Sequence, residues 1–471
     1  MLILRARSIS LSLLLMALLF VPLSLYRTPI RQFVEAELPY SIQVDRLLRL
    51  GGEGSLSGWL GTVILTGVAL ALWVLARRLP TSGERGPLRL AFGLTALLAL
   101  DQATVLHERV LAIWLAYAGG VTAWLPALVA LLLLWALLRR SCAWPAKSRA
   151  FYVLGWVLVF AGYSWGIVTA LQFSLDRGHE AAAALLRYGG GISLLYAALL
   201  RLAQVTPPLT VQVQSGRRVA LWLVALGVLF SLLTAGFHVL DAQTDLSVID
   251  PFRLFYLLDS GQESTIPTFY SVVLWLFCAG LLALIALGER DGGRRDTRRW
   301  AALAGLFVFL SLDEAASLHE QLIGLSRAVV GKLAIDHEGL FYHAWVVPVG
   351  ILVLMLFVLY IPFFRRLPRS TALWMLFSGA LFVGGALGFE MIGGVVVTWD
   401  RNNDALRLGV ETVEELLEML GLAGFAYALL SYLARHVAPV QVRVEGHGEP
   451  LTPSPSPTQA GRGEPDSFEA G

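Results

Sequence analysis

The sequence predicts an all-α integral membrane protein of about twelve transmembrane helices, and three observations predict it. Of 471 residues, 56% are hydrophobic and only 15% are charged, whereas a soluble domain carries about 25% charged residues. Such a composition suits a lipid-facing exterior, because bilayer hydrocarbon is as apolar as the side chains that meet it. The apolar residues also come in runs of roughly 18–25, the length that crosses a bilayer as a helix. Finally, the chain holds 14 Trp, whose indole rings favour the headgroup level.

In chain order the runs fall at about 8–26, 57–76, 90–108, 120–138, 151–172, 184–203, 219–240, 266–288, 300–319, 344–364, 371–392 and 409–434. The first follows Arg5 and Arg7 as a secretory signal would. Arg27, Thr28 and Pro29 come next rather than a small-x-small cleavage site, so the run reads as a retained helix. Orientation follows from the basic residues. With both termini inside, the inner links hold about two thirds of the Lys and Arg, among them Arg77, Arg78, Arg139, Arg140, Lys147, Arg217, Arg218, Arg294, Arg295, Arg298, Arg299, Arg365 and Arg366. Most Asp and Glu sort the other way, as do His107, His179, His238, His319, His337 and His343. This division leaves no Asp, Glu or His expected in the inner half of any helix. Cys142 and Cys278 suggest neither a disulfide framework nor a cysteine metal site. Beyond residue 436 the Pro-, Ser- and Gly-rich segment 437–471 reads as a disordered cytoplasmic tail.

The chain also repeats itself. LALDQATVLHERV, from Leu98 to Val110, parallels LSLDEAASLHEQL, from Leu310 to Leu322, and GGEGSLSGWLG (51–61) resembles SGQESTIPTFYS (260–271). Six helices per half is an even number, so the halves share one orientation, a parallel repeat as in some transporter folds. The expected units are 1–205, an N-terminal six-helix repeat, and 219–436, a C-terminal one that carries the site.

The candidate chemistry lies in three places. The first is the twice-occurring motif D-[QE]-A-x2-LHE. In its second copy Asp313, Glu314, His319 and Glu320 approach the outer end of the ninth helix. Asp313 and Glu320 are seven apart, which on an unbroken helix puts them on one face with Ser317 between them. His319, turned by about 100° from Glu320, is expected to look toward a neighbouring helix. An acid inside a spanning helix costs roughly 2.5–3.5 kcal/mol on insertion scales, so it is expected to have a partner or a task. The first copy supplies Asp101, His107 and Glu108. Both copies also admit a plainer reading, as polar side chains that bond helices together.

The second place is the start of the last helix, where Glu411, Glu414, Glu415 and Glu418 form one stripe at i, i+3, i+4 and i+7. Acids in a first turn meet the positive end of the helix dipole. That accounts for Glu411, but not for Glu418 in the third turn. The third place is Glu390, in FVGGALGFEMIGG, where Gly384, Gly385 and Gly388 are expected to let another helix come close. His238, Glu263, His337 and His343 fall on the same side. Carboxylates crowded in a low dielectric need a cation or shared protons. Mixed His and carboxylate donors suit Zn, Mn or Fe, and oxygen alone suits Mg or Ca. The expected cofactor is therefore a divalent metal ion held by His319, Glu390, Glu411, Glu415, Glu418 and His238, and the expected catalytic set is Asp313, His319, Glu320 and Glu415. No HExxH, P-loop, G-x-S-x-G or CxxC motif narrows the chemistry. In the first half the matching segments AGYSWGIVTAL and AAALLRYGGGISLL hold Arg187 and no acid.

SLDEAASLHEQL, LFVGGALGFEMIGG and ETVEELLEMLG together resemble an uncharacterised family of bacterial multipass inner-membrane proteins, over residues 220–434. The resemblance implies the cell inner membrane and no activity. Three functions compete: a membrane enzyme with a site open to the outer face, acting on a lipid or lipid-linked substrate; a secondary transporter; and a non-catalytic cation-binding subunit. The long first outer segment, with Glu35, Glu37 and Asp45, is placed to cover the site. The one-sided distribution of acids favours the enzyme, because coupled transporters often string ionisable groups across the bilayer. The expected partners are the lipid bilayer and a small-molecule or lipid substrate, with no nucleic acid.

Overall fold

A computed structural model of the chain describes residues 2–37, 44–50, 54–79, 82–117, 125–139, 144–171, 177–205, 209–211, 216–244, 254–291, 296–321, 323, 326–327, 338–401, 403–437 and 439–445. Each of the twelve predicted runs overlaps a described helix. The principal helices are α1 (Ala6–Leu25), α2 (Leu56–Arg78), α3 (Ser82–Thr104), α4 (Leu125–Arg139), α5 (Ala146–Leu171), α6 (Arg177–Val205), α7 (Arg217–Gln243), α8 (Ile266–Asp291), α9 (Thr297–Ala316), α10 (Val346–Phe364), α11 (Arg369–Val383) and α12 (Asp404–His436). Among the described residues, eight helical segments are long and apolar enough to cross a membrane. The third, fourth, fifth and ninth runs fall outside that set; the third and ninth hold Asp101 and Asp313, while Glu390 and the Glu411–Glu418 stripe lie within it.

The helices pack in corresponding pairs. In the first half α1 lies on α6, α2 on α3, α2 on α6, and α5 on α6. In the second half α7 lies on α12, α8 on α9, α8 on α12, and α11 on α12. Between the halves, α2 meets α9 and α3 meets α8. One such link is explicit: Trp59 on α2 donates from Nε1 to Ser311 Oγ on α9 at 3.2 Å, and Ser311 donates to the Val272 carbonyl of α8 at 3.1 Å. α10 is apolar almost throughout, and Leu354, Met355 and Leu359 are exposed along it, as a lipid-facing helix requires.

Sequence reading anticipated no strands, but three short ones form a sheet in the order β1-β3-β2: β1 (Leu2–Arg5), β2 (Leu209–Val211) and β3 (Val440–Glu445). The sheet gathers the start of the chain, the link between halves and the end of α12. α6 and α8 also reach β3, so one end of the bundle is the sheet end. α12 finishes there, and its start, with the glutamate stripe, lies at the far end. Between the two ends the second half is closed by packed aromatic rings. Trp275 meets Phe307 at 4.8 Å and Phe382 at 5.0 Å, Phe307 meets Phe425 at 4.9 Å, and Trp300 meets Phe363 at 4.8 Å.

The local geometry of the two motif copies matches. Val105 and Ser317, at equivalent places, both adopt left-handed backbone with φ of 50° and 45°, which breaks the helix. Gly54 and Ser264 both have φ of 58°. Each precedes a hydroxyl that caps the next helix: Ser55 accepts from Gly58 N at 2.9 Å, and Thr265 from Thr268 N at 3.4 Å.

Candidate functional site

The break at Ser317 corrects the expectation that Asp313, Ser317 and Glu320 share one continuous helical face. After Ala316 the chain turns, and Leu318–Gln321 forms a separate helical turn. Asp313 caps that turn: its Oδ1 accepts the His319 backbone N–H at 2.9 Å, and its Oδ2 accepts from His319 Nδ1 at 2.9 Å. His319 therefore turns Nδ1 back to its own Asp while its ring meets a neighbouring element. With a carboxylate acceptor on Nδ1, the neutral ring carries its proton there and presents the Nε2 lone pair, the arrangement of an oriented base or metal ligand. The other ring contact of His319 is Trp345, at 4.8 Å between centroids. Trp345 donates from Nε1 to Glu390 Oε1 at 3.1 Å, and His343 Nδ1 lies 3.1 Å from the same oxygen. Burial holds the His343 imidazole below its ordinary range against the opposing pull of Glu390, and Arg327 adds to the lowering.

Glu390 reaches this place because α11 does not continue as an α-helix. Residues Gly384–Phe389 form a π-helix, and α-helical geometry resumes over Glu390–Trp399. A π-turn shifts the register of every side chain after it and is common at functional sites. Of the three glycines expected to permit close approach, Gly385 does so. A Cβ there would lie 2.9 Å from the Glu414 carbonyl and 3.1 Å from Glu418 Cγ, while Gly384 and Gly388 face open space.

The glutamate stripe meets these groups. Glu414 stands within hydrogen-bond reach of Glu390. The main electrostatic neighbours of Glu418 are Glu314, Glu414, Glu390 and Asp313, and those of Glu415 are Glu418, Glu314, Glu411 and Asp259. All are carboxylates. Glu414, Glu415 and Glu418 are only partly exposed, set within the bundle. Glu411 lies at the rim, where Arg407 is 3.6 Å away and the backbone at Gly261 is so near that a Cβ would sit 2.7 Å from the carboxyl carbon. His238 lies 3.3 Å from Asp259 Oδ1, a second Asp–His pair, and both interact with Glu411. Glu263 and Glu320 meet Arg46 from the first half, Glu263 as an ion pair and Glu320 through its charge.

The residues nominated from the second half thus converge, apart from His337, which lies outside the described residues, as do the side chains of Glu35, Glu37, Asp45 and Glu108. Among the described residues no group of three or more His, Cys, Asp or Glu side chains is arranged to hold a metal ion as it stands. Sequence reasoning missed Asp259, Arg46 and Trp345. Asp259 adjoins the repeated SGQES segment and was findable from it. Arg46 and Trp345 carry no local signal. The expectation of no acid in the inner half of a helix also needs correction: buried Glu289 lies near the sheet end of α8 and accepts from Tyr432 Oη at 2.9 Å, and Glu84 lies in the first turn of α3.

The first copy keeps the dyad and lacks the acid equivalent to Glu314. His107 N donates to Asp101 Oδ1 at 2.6 Å, with Nδ1 at 2.9 Å from the same atom. Gln102 stands at the position of Glu314. A Cβ on Gly162 would meet Arg187 Cγ and the Ala183 carbonyl, as one on Gly385 meets Glu418 Cγ and the Glu414 carbonyl, so Arg187 occupies the place of Glu418. Arg187 covers the Tyr163 ring at 5.2 Å, and both it and Asp101 act on Tyr163 electrostatically.

A family described as a domain of unknown function (DUF8692) matches residues 9–188 and 219–432. The chain belongs to that family. The two stretches matched by DUF8692 fall on either side of the link that contains β2, one in each half. No curated protein and no solved structure matches the chain.

Proposed function

We propose that this DUF8692 protein is a multipass inner-membrane enzyme whose C-terminal half holds a carboxylate–histidine centre that opens to the extracytoplasmic face, binds a divalent cation and acts on a lipid or lipid-linked substrate. The observation that carries the reading is the set Glu314, Glu390, Glu414, Glu415 and Glu418. These side chains come from three separate helical segments, and the strongest electrostatic neighbours of Glu415 and Glu418 are other carboxylates. Such a group needs positive charge or protons from outside the chain. In the first half Arg187 and Gln102 take the places of Glu418 and Glu314.

Two further observations support the orientation. The sheet end carries the Arg-rich links, which belongs to the cytoplasmic side by the positive-inside rule, and the aromatic layer closes the site from that end. His319, Glu390, Glu415 and Glu418 are the residues that would hold the ion. The cation would supply charge for a developing oxyanion. Asp313 would orient His319 toward the ion, and Glu320 would accept a proton from a water or a substrate hydroxyl and return it.

Elemental analysis of the purified chain tests this. One divalent metal per chain is expected, lost in Glu415→Gln and in His319→Ala; metal retained in both variants would refute the centre. A second reading, a secondary transporter, is supported by the corresponding helix pairs and the exchanged α2–α9 and α3–α8 contacts, which fit two parallel six-helix repeats. Solute counterflow into sealed proteoliposomes would establish it over the enzyme.

A further inference from the structure

At the sheet end, a cavity of about 700 Å³ opens between α2 and α3 and is lined by Trp73, Ala76, Arg77, Arg85, Arg89 and Phe92. It lies on the outside of the first half, away from the carboxylate centre. Below it, Leu70 and Trp73 on α2 and Leu90 and Leu97 on α3 are exposed and continue as one apolar track along the two helices. Two of the three arginines are already positioned. Arg77 stacks over Trp73 at 4.5 Å, and Arg85 Nε donates to the Leu79 carbonyl at 2.8 Å, which closes the end of α2. Arg89 makes no ion pair among the described residues, and the nearby acid Glu84 pairs instead with Arg201 at 3.5 Å.

The corresponding turn of the second half is different. There Asp296 accepts from Arg299 at 2.7 Å and from Arg366 at 2.6 Å and 2.9 Å, so the guanidinium groups are neutralised within the protein. In the first half Glu84 stands at the place of Asp296, but it pairs with Arg201, and no acid lines the groove among the described residues. We infer that it binds the headgroup of an anionic phospholipid of the cytoplasmic leaflet. The three guanidinium groups take the phosphodiester, and the acyl chains lie along the Leu70–Trp73 and Leu90–Leu97 track. Charge and shape agree on this occupant: a cationic pocket at headgroup depth, continued by an apolar face toward the bilayer core, matches an amphiphile with one negative head.

The test uses the full-length chain in neutral detergent, titrated with phosphatidylglycerol, phosphatidylcholine and inorganic phosphate and read by native mass spectrometry. Phosphatidylglycerol is expected to bind, and phosphatidylcholine to bind at least tenfold more weakly. Each arginine contributes about a fivefold factor, so the triple variant R77Q/R85Q/R89Q is expected to lose roughly 100-fold in affinity. Inorganic phosphate at the same concentration should not displace the lipid. Unchanged lipid affinity in the triple variant, equal binding of phosphatidylcholine, or displacement by phosphate alone would each overturn the assignment. If the triple variant fails to fold, Arg89→Gln alone should lower affinity about fivefold, and no change there would overturn it equally.

Discussion

Asp313 offers the sharpest test of how the site is built, because one carboxylate does two separable things. It accepts the His319 N–H at 2.9 Å, which caps the turn after the left-handed Ser317, and it accepts the His319 Nδ1–H at 2.9 Å, which orients the ring. Asp313→Ala removes both acceptors. A lost cap costs about 1 kcal/mol, and a lost charge-assisted hydrogen bond about 1.5–3 kcal/mol, roughly 3 kcal/mol together. Asp313→Asn keeps an oxygen for the backbone N–H but presents an amide NH2 to Nδ1, so the cap survives and the imidazole must adopt the opposite tautomer. Both variants delete the same negative charge and so relieve the same repulsion from Glu314 and Glu418, which cancels in the comparison between them. The Asn variant should therefore be about 2 kcal/mol more stable than the Ala variant by denaturant titration in mixed micelles. Its 15N-histidine spectrum should show the proton moved from Nδ1 to Nε2, and metal binding should be lost in both. Equal stability of the two variants, or a wild-type tautomer in the Asn variant, would refute the dual role.

Other outcomes follow from the same geometry. Asp101→Ala should destabilise the chain about as much as Asp313→Ala, since it removes the equivalent cap, while leaving metal content unchanged. Gly385→Val should displace the π-turn from α12, because its Cβ would lie 2.9 Å from the Glu414 carbonyl; Gly384→Val, facing open space, should leave binding intact, and equal loss in both variants would discount the close approach. Asp296 is held below the ordinary carboxylate value, first by its hydrogen bond from Arg366 and further by Arg299. A lowered folded value means its stabilisation is complete above about pH 3.8 and is lost as pH falls through that lowered value. Acid titration of Asp296→Asn against wild type should show less loss of stability over that range, and identical acid profiles would remove Asp296 as a clamp.

Much of this was written in the sequence because it is local or periodic. Helix positions follow from apolar runs that a bilayer demands, and the doubled LHE motif announced that whatever Asp101 does for His107, Asp313 does for His319. The stripe Glu411–Glu418 was legible because a helix converts the spacing i, i+3, i+4, i+7 into one face. The same rule misled at Asp313 and Glu320. A left-handed residue resets the helix, and serine carries no sequence signal for φ of 45°. Only the fold decided that Glu390 swings through a π-turn onto Glu414, that Arg46 crosses from the first half to meet Glu263, and that Arg187 stands where Glu418 stands. Those are meetings between segments far apart in the chain, set by which helices pack together rather than by the residues on either side.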